Sequence, residues 1–337
     1  MGLVIPLKKE INNSYLKLKN LVGDKLNQVD QHIKYKLASE INLIQEMTKY
    51  HFESGGKRIR ALLTLGSAKL CDYRNGNRDV NLAACVELIH NATLLHDDVI
   101  DDSNLRRGIK TSNSIWGNQS SILVGDYLLS RCFEMMVEDD DHEVLKLLSS
   151  TSSKIAQGEV LQLEYKGQID ILEETYLNII NSKTAALFAA ATRVGACITS
   201  KKKKEKDALE SYGRNLGLAF QITDDALDYC STKNTFGKEI GKDFFEGKVT
   251  LPAIFLFQKA NDDEKKKLDK IFSKKNRTKL EFNEVQNLIK KYNSIDDCFK
   301  RAEYFINISR NALNTFNFSE EKLILQKITS FSLERSF

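Results

Sequence analysis

VNLAACVELIHNATLLHDDVIDD, residues 80–102, is an apolar run that ends in a cluster of carboxylates. Leu82, Cys85, Val86, Ile89, Thr93 and Leu94 recur at steps of three and four, which gathers them on one side of a helix. The run is also well beyond ordinary strand length. Asp97, Asp98 and Asp101 form a DDxxD pattern, with Asp102 added. Positions three and four apart share a helix face, so Asp97 and Asp101 project together. Carboxylates held together beside an apolar stripe repel one another and call for a counter-cation.

The same period continues outward. Ser121–Val137, Leu145–Tyr165, Glu174–Thr199 and Glu205–Tyr229 all read as helices, and no segment shows sustained strand-type alternation. The only prolines are Pro6 and Pro252, which leaves long stretches without a helix breaker. The chain reads as all-α. Arg74–Asp79 and Asp139–His142 read as polar turns, the latter a solvated acidic one. Lys201–Lys206 reads as a solvated loop or helix start, Ser231–Lys248 as a functional loop, and the lysine-rich Asn261–Leu280 as external. There is no internal repeat and no Pro/Ser-rich linker, so residues 1–337 are expected to form a single domain.

Composition narrows the function classes. Hydrophobic residues at 42% and charged residues at 28% allow a sizeable core. A net charge of +4 is too slight a bias for nucleic-acid binding. Cys71, Cys85, Cys132, Cys197, Cys230 and Cys298 form no CxxC pair and lie at no metal-ligand spacing from a histidine, and are expected to be reduced and inert. The apolar start Met1–Pro6 is too short for a signal-peptide core. Ala185–Ala196 is broken by Thr192 and Arg193, so it is not a membrane span. A cytoplasmic location with at most peripheral membrane contact is expected.

A second DDxxD lies in QITDDALDY, with Asp224, Asp225 and Asp228. Two such clusters on apolar helices far apart in sequence point to Mg²⁺ or Mn²⁺, hard ions that take oxygen ligands and share substrate phosphates. Bases complete the pattern. GGKRIR supplies Lys57, Arg58 and Arg60 after a glycine pair, Arg106 and Arg107 follow the first cluster, and Lys183, Lys238 and Lys248 come later. Guanidinium forks and ammonium groups suit diphosphate oxygens. A lone base is ordinarily a solvated surface group, but acids and bases in this combination suggest two diphosphates in one cavity.

GGKRIR, LLHDDVIDD–LRRG, VGDYLLSR, QGEVLQLEY, KTAALF, QITDDALDY and GKDFFEGKVTLP occur in that order. Over about residues 50–255 the chain closely resembles the trans-isoprenyl diphosphate synthases, and within them the bacterial octaprenyl type that makes quinone side chains. The resemblance implies antiparallel helices around a deep central cavity, usually in a homodimer. It makes Asp97 and Asp101 ligands for the ion bridging the allylic diphosphate, with Asp98 in support, and Asp224 the ligand of a further ion. Arg106 resembles an allylic-diphosphate residue. Lys57, Arg60, His90 and Arg107 resemble the isopentenyl diphosphate site, and Lys183, Gln221, Lys238 and Lys248 the group that holds the leaving diphosphate. Without that match His90 would read as a satisfied core histidine. His96 is given no metal role. Where the family usually carries proline after GGKRIR this chain has Ala61, which is expected to loosen the helix start. Arg335, in the terminal ERSF, is too weak a match to count as a site residue.

The chemistry implied is ionisation of an allylic diphosphate, attack by the double bond of isopentenyl diphosphate, and proton loss to the departing diphosphate, with Thr184 and Gln221 supporting the cation. Product length is expected to follow the small residues Ala92 and Thr93, one turn before Asp97, which leave an alkyl path open, with Met135 or Met136 as its floor. A shorter-chain geranylgeranyl synthase, a terpene cyclase or head-to-head condensing enzyme, and a non-catalytic subunit of a heteromeric synthase are the competing readings. The paired acidic clusters beside GGKRIR weigh against the last two.

Overall fold

The computed structural model describes residues 8–230 and 240–331. They form α1 (Lys8–Val22), α2 (Lys25–Lys36), α3 (Asn42–Glu53), α4 (Ile59–Leu70), α5 (Arg78–Ile100), α6 (Ser112–Trp116), α7 (Asn118–Glu138), α8 (His142–Glu164) and α9 (Glu173–Ile180). A π-helical turn, Asn181–Ala185, leads into α10 (Ala186–Cys197) and α11 (Lys203–Cys230). The remainder is α12 (Lys242–Glu246), α13 (Leu251–Lys259), α14 (Asp262–Phe272), α15 (Lys279–Lys291), α16 (Ser294–Ala312) and α17 (Glu320–Ile328). The fold is all-α, apart from a two-residue antiparallel ladder of β1 (Leu105–Arg106) and β2 (Ile109–Lys110) among the described residues.

Helix starts follow local chemistry. Asn261 with Glu264 and Thr278 with Glu281 form reciprocal caps on α14 and α15, and Pro252 occupies the first turn of α13, where its missing N–H costs nothing. α11 packs along α16 and α10, α10 on α4, and α5 along α7 and α4. Two glycines allow close approaches to the backbone of neighbouring helices. A Cβ on Gly195 would lie 2.4 Å from the Ala68 nitrogen, and one on Gly213 would lie 2.3 Å from the Phe188 oxygen. One apolar cluster joins α2, α4, α5, α7 and α10 around Leu62, Leu88, Leu128 and Phe188. A second joins α11 to α13–α16 around Phe244, Leu256, Phe272 and Val285.

Several expectations change. The one-sided stripe of residues 80–102 is in fact buried on nearly every side as far as Ile89, because α5 runs between helices. Asp139–Asp141 is not a solvated turn. Arg78 donates to both oxygens of Asp139, at 3.0 and 2.7 Å, and Asp141 accepts the Glu143 and Val144 amides that open α8. Asn261–Leu280 is only partly external, since α14 buries Leu268, Ile271 and Phe272. Glu174–Thr199, read as one helix, is divided by the π turn. Five of the six cysteines are buried free thiols and Cys230 is exposed. No described helix is long and apolar enough to cross a membrane.

Candidate active site

The first acidic cluster closes α5. Asp97 stands half-buried, and burial raises its carboxyl to about 6, with Glu159 and Asp101 adding to the rise while Lys183 and Lys248 oppose it. Burial also pushes Asp101 upward. Lys248, whose Nζ is 2.7 Å from Asp101 Oδ2, outweighs that and holds the carboxyl below its ordinary value. Lys248 also contacts Glu246 at 2.8 Å. Lys183 stands in the π turn and donates to Glu159 at 2.6 Å and Gln162 at 3.0 Å, both on α8. Four sequence-derived candidates, Asp97, Asp101, Lys183 and Lys248, therefore form one charged group.

Asp98 faces the other way and is buried. Arg106, at the start of the small hairpin, grips it side-on through Nε (3.1 Å to each oxygen) and Nη2 (2.8 Å). Asp98 is thus a holder of Arg106, which remains charged: burial lowers its basicity and Asp98 more than restores it. Arg107 sits at φ 55° and donates through Nη1 to the Gly55 carbonyl, so the hairpin is tied to the glycine pair.

Arg60 and His90 meet at 3.1 Å. Burial, then the charges of Arg60, Arg106 and Arg107, hold His90 well below the usual imidazole value. It is neutral near pH 7, and its Nε2 accepts from the guanidinium, which can only donate. Burial lowers Arg60 to about 10, with Glu87 and Asp224 opposing, so it keeps its charge near neutrality. Its guanidinium lies 4.5 Å from the Phe188 ring centroid, and its buried Nε has no hydrogen-bond partner among the described residues. Glu87 accepts the Ala61 amide at 3.1 Å. A proline there would lack that donor, so the departure at Ala61 anchors the start of α4 rather than loosening it.

The second cluster divides by partner. Asp224 lies within the field of Arg60. Asp225 is buried between Gln221 Nε2 and the Tyr176 hydroxyl, each 2.7 Å away. Asp228 accepts the Lys242 and Asp243 amides at 3.2 and 2.9 Å and so opens α12. Thr184 donates to Gln221 Oε1 at 2.9 Å.

Other candidates lie outside this grouping. The Lys57 ammonium sits 4.5 Å from the Phe331 ring centroid. Lys238 and Arg335 fall outside the described residues. His96 Nε2 lies 3.1 Å from the Ile122 carbonyl, a packing role. Ala92 is fully buried, and Thr93 donates to the His90 carbonyl at 2.8 Å. Met135 and Met136 are buried at the far end of α7, where Asn81 donates to the Met135 carbonyl. Sequence reading assigned no role to Glu87, Glu159, Gln162, Tyr176 or the buried His51; Glu159 and Gln162 lie within the QGEVLQLEY motif, which could have pointed to them, while the other three carry no signal without their partners.

Among the described residues no three acidic, histidine or cysteine side chains converge as an ion cage. The donors at Asp97 and Asp101 are hard oxygens with flanking ammonium groups. They fit a divalent ion that completes its shell with phosphate oxygens and water.

A family model described as polyprenyl synthetase matches residues 41–289. The chain is 38% identical over 307 residues to an all-trans-nonaprenyl-diphosphate synthase (geranyl-diphosphate specific) of Rhodobacter capsulatus, covering 91% of this chain and 94% of that one. It is 42% identical to the octaprenyl diphosphate synthase of Escherichia coli, over 71% of this chain and 73% of that one. Among solved structures, a polyprenyl synthase from Caulobacter crescentus, complexed with calcium and isoprenyl diphosphate, superposes with a TM-score of 0.91 at 37% identity, over 95% of this chain and 98% of that one.

Proposed function

The chain belongs to the polyprenyl synthetase family, and from that premise we propose that it extends an allylic diphosphate with successive isopentenyl diphosphate units to a long all-trans product of octaprenyl class. It is a chain-elongating prenyltransferase. The observation that carries the site reading is that Arg106 lies within the field of Asp97 and Asp101 and also of His90, and so links the group of Asp97, Asp101, Lys183 and Lys248 to the group of Arg60, His90 and Asp224.

The first group receives the allylic diphosphate. A divalent ion, Mg²⁺ in this proposal, supplies charge withdrawal from the leaving diphosphate when it is bound. Asp97 and Asp101 are its protein ligands, and Asp224 is the ligand of a further ion. The calcium and isoprenyl diphosphate of the Caulobacter protein support an oxygen site of this kind. Lys183, Lys248 and Lys238 place positive charge on the departing phosphates, and Arg106 is fixed by Asp98 to do the same. Arg60, held by neutral His90, binds isopentenyl diphosphate with Arg107 and Lys57. Thr184 and Gln221 turn oxygen dipoles toward the allylic cation. In this proposal the departing diphosphate takes up the proton that is lost.

Ala92 is a small, fully buried residue five positions before Asp97, and Met135 lies beside Asn81, sixteen residues before Asp97, or about 24 Å along the helix axis. That depth supports a long product. Residues 1–337 act as one domain in this reading. Leu123, Phe133 and Val137 are exposed on the side of α7 turned from α5, and we assign that apolar face to a homodimer contact. Incubation with farnesyl diphosphate, Mg²⁺ and labelled isopentenyl diphosphate tests the activity by chromatography of the products, and light scattering tests the dimer.

A further inference from the structure

Tyr176, Asp225, Gln221 and Thr184 form one hydrogen-bonded line from the core to the side of α11 that carries Asp224. Tyr176 is on α9, Thr184 in the π turn, and Gln221 and Asp225 one turn apart on α11. The Tyr176 hydroxyl donates to Asp225 Oδ2 at 2.7 Å, Gln221 Nε2 donates to Asp225 Oδ1 at 2.7 Å, and Thr184 donates to Gln221 Oε1 at 2.9 Å. Tyr176 and Asp225 are buried, while Gln221 is half-exposed on the side of α11 that also carries Asp224.

The two ends of a glutamine amide are nearly the same size, so hydrogen bonds alone decide which end points where. Oδ1 is the acceptor and the Gln221 amide nitrogen the donor. Asp225 Oδ1 therefore draws the NH₂ end of Gln221 inward and leaves Oε1 toward Thr184. If Oδ2 carries a proton, Oδ1 still accepts from Gln221 and the orientation is unchanged. Tyr176 holds the other carboxylate oxygen and so fixes the Asp225 rotamer. A negative dipole end facing the chamber stabilises developing positive charge, whereas a flipped NH₂ would oppose it. We infer that Tyr176 is a positioning residue that, through Asp225, orients the Gln221 amide with its oxygen toward Thr184 and the allylic cation. The inference rests on the prenyl-transfer reading, and it separates Asp225 from the metal-ligand role suggested by its place in a DDxxD.

Tyr176→Phe keeps the ring and removes the hydroxyl. Its kcat is expected to fall about tenfold, with the KM for isopentenyl diphosphate unchanged within about twofold. In a Gln221→Leu background the same substitution is expected to change kcat by less than about twofold, because the oriented group is gone. Asp225→Asn keeps an acceptor for Gln221 and can donate to the Tyr176 oxygen, so it is expected to retain kcat within about threefold, whereas Asp224→Asn loses far more. Equal losses from Tyr176→Phe in both backgrounds, unchanged kcat in Tyr176→Phe alone, or a collapse of Asp225→Asn to the level of Asp224→Asn would overturn it. A second arm does not depend on turnover. The side-chain NH₂ protons of Gln221 should exchange slowly in the unmodified protein and faster in Tyr176→Phe, and equal exchange contradicts the inference. Failure of the unmodified enzyme to elongate any allylic diphosphate would instead count against the prenyl-transfer reading, leaving the amide exchange to decide the orientation.

Discussion

Lys248 Nζ lies 2.7 Å from Asp101 Oδ2 and joins the end of α5 to the segment after α12. Both side chains are largely buried, so each is the other's principal counter-charge before substrate binds. Lys248→Ala removes a charge-assisted contact to the allylic diphosphate worth roughly 1.5–3 kcal/mol. Its KM for the allylic substrate should rise at least about tenfold, with little change for isopentenyl diphosphate. Steady-state kinetics with each substrate varied in turn checks this, and an unchanged allylic KM contradicts it.

Asp98 acts through Arg106. The side-on grip fixes the guanidinium plane, which lysine cannot reproduce. Asp98→Asn and Arg106→Lys should therefore produce the same weakening of allylic substrate binding, and the double variant should be no worse than the more impaired single one. Additive losses in a double-mutant cycle would show that Asp98 has a separate task, such as direct ion binding.

Acid should weaken the fold through His51. Burial, then the nearby Arg106 charge, holds its imidazole down to about 4. The unfolded chain takes up that proton near 6.5. Between these values the unfolded state binds more protons, so stability falls as the pH drops through the window. From pH 7 to pH 5 this group alone should cost about 2 kcal/mol. Denaturant midpoints at the two pH values should show the loss, and His51→Gln should reduce it. His90 is shifted in the same direction and supplies part of what remains.

The acids at Asp97 and Asp101 were legible because a four-residue step on a helix is a local fact. So was the all-helical class, since proline is scarce and the apolar period runs on from helix to helix. What stayed hidden depends on partners distant in sequence. Asp225 looks like Asp224 until Tyr176 arrives from α9 to bury it. Asp139 looks solvated until Arg78 closes over it. Ala61 looks like a loss until Glu87 accepts its amide. The π turn at Asn181–Ala185 is a short polar step, NSKTA, between apolar segments that both read as helix, so periodicity alone does not reveal it.

Product length should respond to Ala92. It is fully buried, five residues before Asp97 on α5, or about 7.5 Å along the axis. An aromatic ring there would fill the start of the alkyl path. Ala92→Phe should shorten the product to farnesyl or geranylgeranyl diphosphate while the first condensation continues. An unchanged product distribution, read by chromatography of the dephosphorylated chains, contradicts the assigned path. Overpacking costs about 1–3 kcal/mol, so a melting curve should accompany the assay.

The most direct measurement is elongation by the unmodified protein and by Asp97→Ala, each given farnesyl diphosphate and labelled isopentenyl diphosphate with Mg²⁺ or with a chelator. The unmodified protein should make long all-trans diphosphates with Mg²⁺ and none with the chelator. Asp97→Ala should keep its helical circular dichroism and lose turnover by about two orders of magnitude or more. A well-folded Asp97→Ala protein that elongates at a near-normal rate, or an unmodified protein that is indifferent to chelation, would contradict the account.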